Sequence, residues 1–434
     1  MGVSSVEVRT RLEVKGGSVG VRRALGRQFE WLWAAYAVST FGTWIGFGAL
    51  SVVAITVLDA GPAEVAALSA AGLAVGAVVA VPLGPWVEFR RKRPVMIAAD
   101  LIRLCAFASL PLAYALDVLT IGQLIVVSVV ATASRIAFDA ASAPLVKTLV
   151  HPDDLLTANS RFESTRWSAT VVGPTLGGAL IGLFGPFVTI CVDATSYLLS
   201  ALGVSAMGAS ETPRRRANPP RLSDLVDGWR IIIGHRTLRR LFANTVLVNG
   251  LIMAGEPVLA VLMLGRLGFP AWQYGLAFSL PCVGGLIGSR LAGAVVHRLG
   301  QSTALLVTGV SRACWPIGLA LVGPGIGGLA VVMVIELGLI FCCSVFNPVY
   351  VTYRQQLIET EQLSRVITAW SISTSLCIAA LTAACGLLAA ITTPRTALVV
   401  AGVALLATPA LLIRRSADVA LSPRARSADT SGVR

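Results

Sequence analysis

The stretch Gly84-Pro85-Trp86-Val87-Glu88-Phe89-Arg90-Arg91-Lys92-Arg93-Pro94 places one acid and four cations between two long apolar runs. The run that follows it, residues 95–116, is long enough to cross a bilayer, which takes about 20 apolar residues in a helix. A backbone in lipid must satisfy its own hydrogen bonds, so such runs are predicted to be helices. The charged stretch is therefore predicted to join two transmembrane helices at one membrane surface.

The rest of the chain repeats this pattern. Of its 434 residues 55% are hydrophobic and 13% are charged, against roughly 25% charged in a soluble domain. The first apolar run starts at Phe29 and is too long for a signal peptide, so no cleavable signal is predicted. We predict an all-α membrane protein with twelve spans, at residues 30–56, 65–87, 95–116, 121–145, 162–183, 187–207, 241–264, 274–296, 303–322, 328–351, 365–391 and 396–413.

The basic residues are distributed asymmetrically. If the N-terminus is cytoplasmic, the connections on that side carry 28 of the 35 Lys and Arg residues, and those on the other side carry 2. The positive-inside rule then predicts a multi-pass protein of a bacterial-type inner membrane with both termini cytoplasmic. The net charge of +13 is thereby attributed to topology, and no nucleic-acid partner is predicted.

The spans divide into two sets of six. Residues 208–240 form the longest internal polar segment, and apolar residues after Pro220 recur there at helical spacing, which predicts a short amphipathic helix. An offset of 209 residues carries Gly84 onto Gly293 and the start of span 2 onto that of span 8. We therefore predict two pseudo-symmetric six-helix bundles with a site between them, organised as a tail (1–28), a bundle (29–207), a cytoplasmic loop (208–240), a bundle (241–413) and a tail (414–434).

Two motifs suggest moving parts. Glu88, at a predicted helix end before four cations, could form ion pairs that hold one conformation shut; the alternative is a basic loop that only sets topology. In the fifth span, a proline bends the helix and the glycines beside it allow close packing. That motif consists of Gly173, Pro174, Gly177 and Gly178.

Ionisable residues within the spans are the candidates for a proton or substrate cavity, because such residues are costly in lipid. Asp100 with Arg103 and Glu163 with Arg166 are three residues apart, and Arg135 with Asp139 are four apart. The members of each pair could neutralise each other. Asp193 has small polar neighbours that could satisfy it, so a structural role is predicted. Glu256 and Glu336 lie well inside apolar runs and could carry protons, unless an arginine of another helix pairs with them. The cavity candidates are Arg135, Asp139, Glu256, Arg312 and Glu336.

Other chemistry is not indicated. The chain has no GxxxxGK[ST] phosphate loop, no HExxH and no CxxC. The eight cysteines all lie in apolar runs and the three histidines in separate polar segments, so neither a metal site nor an enzymatic activity is predicted. No cofactor is expected, and the proton gradient is the expected source of energy.

These motifs resemble the major facilitator superfamily over residues 29–413, and within it the drug:proton antiporters that include macrolide-efflux and enterobactin-exporter-like proteins. Residues 84–93 resemble the family's G-x-x-x-D-R-x-G-R-R, with Glu88 as the acid and Arg91 in place of a glycine. The resemblance implies a monomeric exporter of small organic molecules that works by proton antiport and alternating access. It assigns to an inner gate the residues Gly84, Glu88, Arg91, Lys92, Arg93, Asp100 and Arg103.

Span 1 departs from the family pattern. Many members have an acid after Ser-x-x-Gly, where this chain has Thr43, so the proton-coupling residue is left open. Two other functions also stay open: a nutrient importer of the same fold, and a membrane sensor or assembly protein that moves no substrate.

Overall fold

The computed structural model describes residues 25–60, 62–208 and 226–412, and these residues form helices and short connections without a β-strand. The N-terminal half contains six spans, of which spans 1 and 2 are each made of two helices. A single 3-10 turn, Pro152–Asp154, precedes the fifth. In order, the spans are Arg27–Ile45 with Ala49–Val57, Pro62–Val79 with Leu83–Glu88, Lys92–Ala115, Ile121–Leu149, Leu155–Phe184 and Pro186–Ser205.

The C-terminal half begins with a short helix, Asp227–Gly234, here called the linker helix. Span 7 ends in a π-helical turn, span 8 is broken at Leu280–Pro281, and span 9 ends in a 3-10 helix. Spans 7 to 12 are Arg236–Ala260 with Val261–Arg266, Ala271–Ser279 with Cys282–Leu299, Gln301–Cys314 with Pro316–Leu321, Gly325–Leu357, Leu363–Ile391 and Pro394–Ala407.

The predicted twelve-helix fold is confirmed. Eleven of the described segments are long and apolar enough to cross a membrane. The remaining span, the second, is interrupted between Val79 and Leu83 and packs along span 4. Spans 5 and 10 extend past their predicted ends to Leu155 and Leu357. Hydropathy predicts only the part of a helix that lies in lipid, so such extensions were not foreseen.

Parts of the predicted organisation lie outside the described residues. The two tails are described only from Leu25 and up to Leu412, and residues 209–225 of the central loop are likewise outside. The predicted amphipathic helix is therefore seen from Asp227 onward. Span 7 begins at Arg236, within the segment predicted as loop.

The two halves pack in the same way. Span 1 lies against spans 5 and 6, span 2 against span 4, and span 3 against spans 4 and 6. In the C-terminal half, span 7 lies against spans 11 and 12, span 8 against span 10, and span 9 against spans 10 and 12. Each pair in one half thus has its counterpart in the other, which is the pseudo-symmetry that the 209-residue offset predicts.

In the described part of the chain, the largest buried cluster that both halves share lies at one end. We call this the basic end; it holds Leu25, the connections at 89–91 and 358–362, and Leu412. Its buried cluster combines residues of both halves, among them Val87, Leu145, Leu238, Phe346 and Leu363. Toward the opposite end the main buried clusters are separate, one formed by the N-terminal half and one by the C-terminal half. The basic end is therefore closed in this structure.

Candidate functional site

An ion-pair cluster joins the halves at the basic end. Arg365, near the start of span 11, pairs through its Nε with Glu88 at the end of span 2. Its Nη1 lies 2.7 Å from Asp227 Oδ2 in the linker helix. The three side chains are between 8% and 25% exposed, and partly buried charge-assisted contacts are stronger than neutral ones. We call this cluster the latch, because it connects both halves and the segment between them.

The latch is reinforced by close backbone approaches. A Cβ on Gly84 would lie 2.9 Å from Thr368 Cβ, so this glycine allows spans 2 and 11 to cross closely. The linker helix crosses span 11 through Gly228, whose Cβ would lie 2.5 Å from the Arg365 carbonyl oxygen. Trp229 Nε1 donates to Ser373 Oγ at 2.9 Å and so attaches the linker helix to span 11 eight residues beyond Arg365.

The cations of the predicted gate have different roles. Lys92 Nζ donates to the carbonyls of Val87 and Glu88 at 2.7 and 2.8 Å, which caps the end of span 2. Arg93 donates to the Ser205 carbonyl at 2.8 Å and so ties span 3 to span 6. Arg91 is exposed. Within this motif, Glu88 makes the ion pair with the other half that joins spans 2 and 11.

Further polar contacts join the two halves, some near the latch and some farther from the basic end. Asn159 Nδ2 donates to Thr352 Oγ1 and to Gln355 Oε1 at 2.8 and 2.9 Å. Higher up, Ser164 and Ser289 hydroxyls lie 2.8 Å apart. These contacts hold span 5 against spans 8 and 10, and all would have to break for the basic end to open.

Glu163 accepts several hydrogen bonds at the contact between the halves that lies farther from the basic end. Its Oε1 accepts from Trp167 Nε1 at 2.9 Å and from Asn347 Nδ2 of the other half at 3.0 Å. Arg166, on the same helix, pairs with both oxygens of this carboxylate. The Trp167 ring lies over Gly285 of span 8, where a Cβ would overlap it. The sequence predicted only the Glu163–Arg166 pair, since nothing in it relates residue 163 to residue 347.

The span 5 motif packs against span 1 through two of its four residues. A Cβ on Gly173 would lie 2.5 Å from Trp44 Cβ, and one on Gly177 would overlap the carbonyl of Ile45. Pro174 and Gly178 are exposed instead, and a Cβ on Gly178 would have no neighbour within 4 Å. Gly173 and Gly177 therefore form the close helix crossing that small residues allow in membranes.

Replacing Gly177 with alanine is expected to force spans 1 and 5 apart, because the new methyl group overlaps a backbone carbonyl. Overpacking of this kind costs about 1–3 kcal/mol. The matched change Gly178→Ala adds its methyl group to open space and should stay within about 0.5 kcal/mol of the parent. Thermal unfolding midpoints of the purified proteins in detergent check this. Equal midpoints for the two variants would contradict the close crossing.

The cavity candidates do not lie together. Glu256 of span 7 and Glu336 of span 10 line one apolar pocket between spans 7, 9, 10 and 12. Glu336 is 8% exposed, whereas Glu256 is exposed. The other lining residues of this pocket include no Lys, Arg or His. The pairing with an arginine of another helix, which the sequence left open, is therefore not provided by the residues around the pocket.

Arg312 lies elsewhere in the same half. It is 1% exposed, its Nη2 donates to Asn244 Oδ1 at 2.6 Å, and its guanidinium lies 3.6 Å from the centre of the Phe346 ring. These contacts enclose Arg312 between spans 7, 9 and 10, away from the pocket of Glu256 and Glu336. In the N-terminal half, Arg135 is exposed and Asp139 is half-buried on the same face of span 4.

Asp100 and Arg103, assigned by resemblance to the inner gate, are buried inside the N-terminal half. Arg103 Nη2 donates to Asp100 Oδ1 at 2.6 Å, as their spacing predicts. They lie a turn or more above the latch along span 3.

The chain thus consists of two pseudo-symmetric bundles that are closed together at one end and contain ionisable groups. Residues 32–342 match the sequence model of the family described as the Major Facilitator Superfamily. The chain belongs to this superfamily. It is accordingly a multi-pass membrane protein of a transporter superfamily and not an enzyme. The family expected from residues 84–94 and from the span 5 motif is confirmed.

The relatives of this superfamily member are distant. It is 29% identical over 249 residues to the "Multidrug efflux pump Tap" of Mycobacterium tuberculosis, with 52% of this chain and 57% of that protein covered. It is 38% identical over 87 residues to the human "Chromaffin granule amine transporter", or 18% and 17% of the two chains. The chain thus spans somewhat more than half the length of the efflux pumps it matches.

The fold of the superfamily member is close to that of solved carriers. A bacterial homologue of the iron transporter ferroportin in an outward-facing state superposes with a TM-score of 0.76 at 18% identity, covering 90% of this chain and 100% of that one. At this identity the similarity concerns the fold alone.

Proposed function

We propose that this protein exports small organic molecules in exchange for protons by alternating access. The observation that carries the proposal is the apolar pocket lined by both Glu256 and Glu336, whose lining includes no basic side chain. Two carboxyls that share such a site cannot both ionise easily. Binding and release of a proton there would change the charge of the C-terminal half, which is what coupling to a proton gradient requires.

Other features of the chain support the proposed direction and sidedness. We place the basic end in the cytoplasm of a bacterial cell, as the positive-inside rule favours. The structure is then closed to the cytoplasm, so Glu256 and Glu336, which lie nearer the opposite end of their spans, would exchange protons with the outside. Similarity to multidrug efflux pumps supports export, and the close crossing at Gly173 and Gly177 supports the same direction by resemblance.

The test is accumulation of a panel of antibiotics and fluorescent dyes in cells that overexpress the protein, with and without an uncoupler. We expect at least one compound to accumulate less, and both the uncoupler and Glu336→Gln to abolish the difference. Glu359→Gln serves as the matched control, since it removes an exposed carboxyl after span 10. Higher accumulation than in cells without the protein would indicate an importer. Unchanged accumulation throughout, with the protein present in the membrane, would favour the sensor or assembly role.

A further inference from the structure

The N-terminal half contains a second buried cluster of charges, separate from the pocket of Glu256 and Glu336. Spans 3 and 6 enclose Asp100 and Asp193, which are 0% and 2% exposed, together with Arg103, which is 6% exposed. Arg103 is already paired with Asp100 at 2.6 Å. Asp193 is therefore the carboxyl of this cluster without an ion pair of its own.

The side-chain oxygens of Asp193, Thr43 and Tyr197 lie close to one another. Thr43 Oγ1 of span 1 lies 3.4 Å from Asp193 Oδ1, and Tyr197 Oη lies 3.3 Å from Asp193 Oδ2. The two hydroxyl oxygens are 3.0 Å from each other. We call this arrangement the span 1–6 triangle.

Counting protons distinguishes the two forms of Asp193. A hydrogen bond needs one proton on one of its two partners, and each hydroxyl has one proton to donate. The triangle has three contacts, whereas Thr43 and Tyr197 together supply two protons. A protonated Asp193 supplies the third: its Oδ1–H donates to Thr43, Thr43 donates to Tyr197, and Tyr197 donates to Oδ2. With an ionised Asp193, one of the three contacts would join two oxygens without a proton between them.

Counting charges leads to the same form. Among the described residues, the charged or titratable groups around Asp193 are Arg103 of span 3, which is already paired with Asp100, and Tyr197 of span 6. Span 1 contributes Thr43, which does not titrate. The Arg103 guanidinium lies 4.6 Å from the centre of the Tyr197 ring and 5.3 Å from that of Phe138. One guanidinium neutralises one carboxylate, so a second ionised carboxyl would leave a buried uncompensated charge, which is strongly unfavourable.

The triangle depends on the position of span 1. A Cβ on Gly46 would lie 3.2 Å from Asp193 Cβ, and one on Gly42 would overlap Ser196. Span 1 therefore passes directly over Asp193 and covers it. A movement of span 1 relative to span 6 would separate Thr43 from the other two groups and admit water to the carboxyl.

We propose that Asp193 is a proton-binding site of the N-terminal half, which holds a proton while span 1 covers it and releases it when spans 1 and 6 part. The proposal rests on the proton antiport proposed above and adds a second carrier to it. It also answers the question left open by Thr43, because the acid absent from span 1 is supplied from span 6 across the helix contact.

Infrared spectroscopy of the purified protein in lipid tests the protonation without a substrate. At neutral pH the parent is expected to show the carbonyl band of one more protonated carboxyl than Asp193→Asn, which keeps a side chain of the same shape. Asp117→Asn, at an exposed turn, should give the parent spectrum. If Asp193→Asn does not fold, Thr43→Val should shift the same band by removing one hydrogen bond. Identical bands in the parent and in these two span 1 and span 6 variants would overturn the proposal.

Transport of a dye that the parent exports tests the coupling. Asp193→Asn is expected to lose uncoupler-sensitive efflux, and the exchange Thr43→Asp with Asp193→Asn should restore it, since it moves the carboxyl across a 3.4 Å contact. A variant Asp193→Asn with parental efflux and an absent infrared band would show a proton site that is not coupled, and would overturn that part. Should the parent move no dye, the proposed export fails while the infrared result still decides whether Asp193 binds a proton.

Discussion

Reversing the charge of Arg365 is expected to open the basic end. Arg365→Glu removes both ion pairs of the latch and places a third carboxylate beside Glu88 and Asp227. Loss of about 1.4 kcal/mol corresponds to a tenfold change in population, and two partly buried charge-assisted contacts contribute at least that much. We therefore expect the open population at the basic end to rise about tenfold or more. The readout is the rate of alkylation of the cysteine in a Thr352→Cys background. In this structure Thr352 lies between the halves and is 3% exposed.

Controls separate the latch from a general effect of charge. Arg298→Glu makes the same change at an exposed position of the basic end, in the last turn of span 8, and should leave the alkylation rate as in the parent. Glu88→Gln and Asp227→Asn each remove one contact and should give intermediate rates. A double-mutant cycle between them measures whether the linker helix acts together with span 2. If Arg365→Glu labels no faster than Arg298→Glu, the latch does not hold this end closed.

Replacing Glu163 with alanine is expected to cause the largest loss of stability. The change leaves the Trp167 and Asn347 donors and the Arg166 guanidinium without their acceptor, in a part-buried interface. Each unsatisfied group costs about 1–3 kcal/mol, so a total loss of about 3 kcal/mol is expected. The measurement is the temperature at which the purified protein in detergent loses its monodisperse form.

Two further variants show whether a lower melting temperature comes from the lost hydrogen bonds or from the removal of a carboxyl in general. Glu163→Gln keeps an acceptor for Trp167 and Asn347 but turns a donor toward Arg166, so a smaller loss is expected. Glu359→Ala removes an exposed carboxyl and should melt like the parent. A Glu163→Ala protein as stable as these two would mean that span 5 and span 10 are not joined at this residue.

The fold could be predicted because lipid imposes a simple rule. Apolar runs of sufficient length must be helices, and Lys and Arg mark one membrane side, so the twelve spans and their division into two bundles follow from hydropathy and charge. Span 2 shows the limit: its break at residues 80–82 is a local geometry that no apolar average records.

The site could be predicted only in part, because contacts between distant residues have no signal in a single sequence. The sequence predicted Glu88 as a gate residue, but its partner Arg365 lies 277 positions away and could not be foreseen. Nor could the sequence predict that Lys92 donates to backbone carbonyls at the end of span 2. Arg312 shows the same difficulty. Its position inside an apolar run indicated an interior residue, yet only packing reveals that it is enclosed by Asn244 and Phe346 rather than placed with Glu336.

The large core that both halves share at the basic end has a thermal consequence. Opening that end would expose apolar residues of both halves, such as Val87 and Leu363, to water, whereas parting the opposite end leaves its two cores intact. Exposure of apolar surface raises the heat capacity, and the tendency to keep such surface buried weakens on cooling. The balance between the two ends should therefore shift with temperature, and chilling the membrane should favour the form that is open at the basic end.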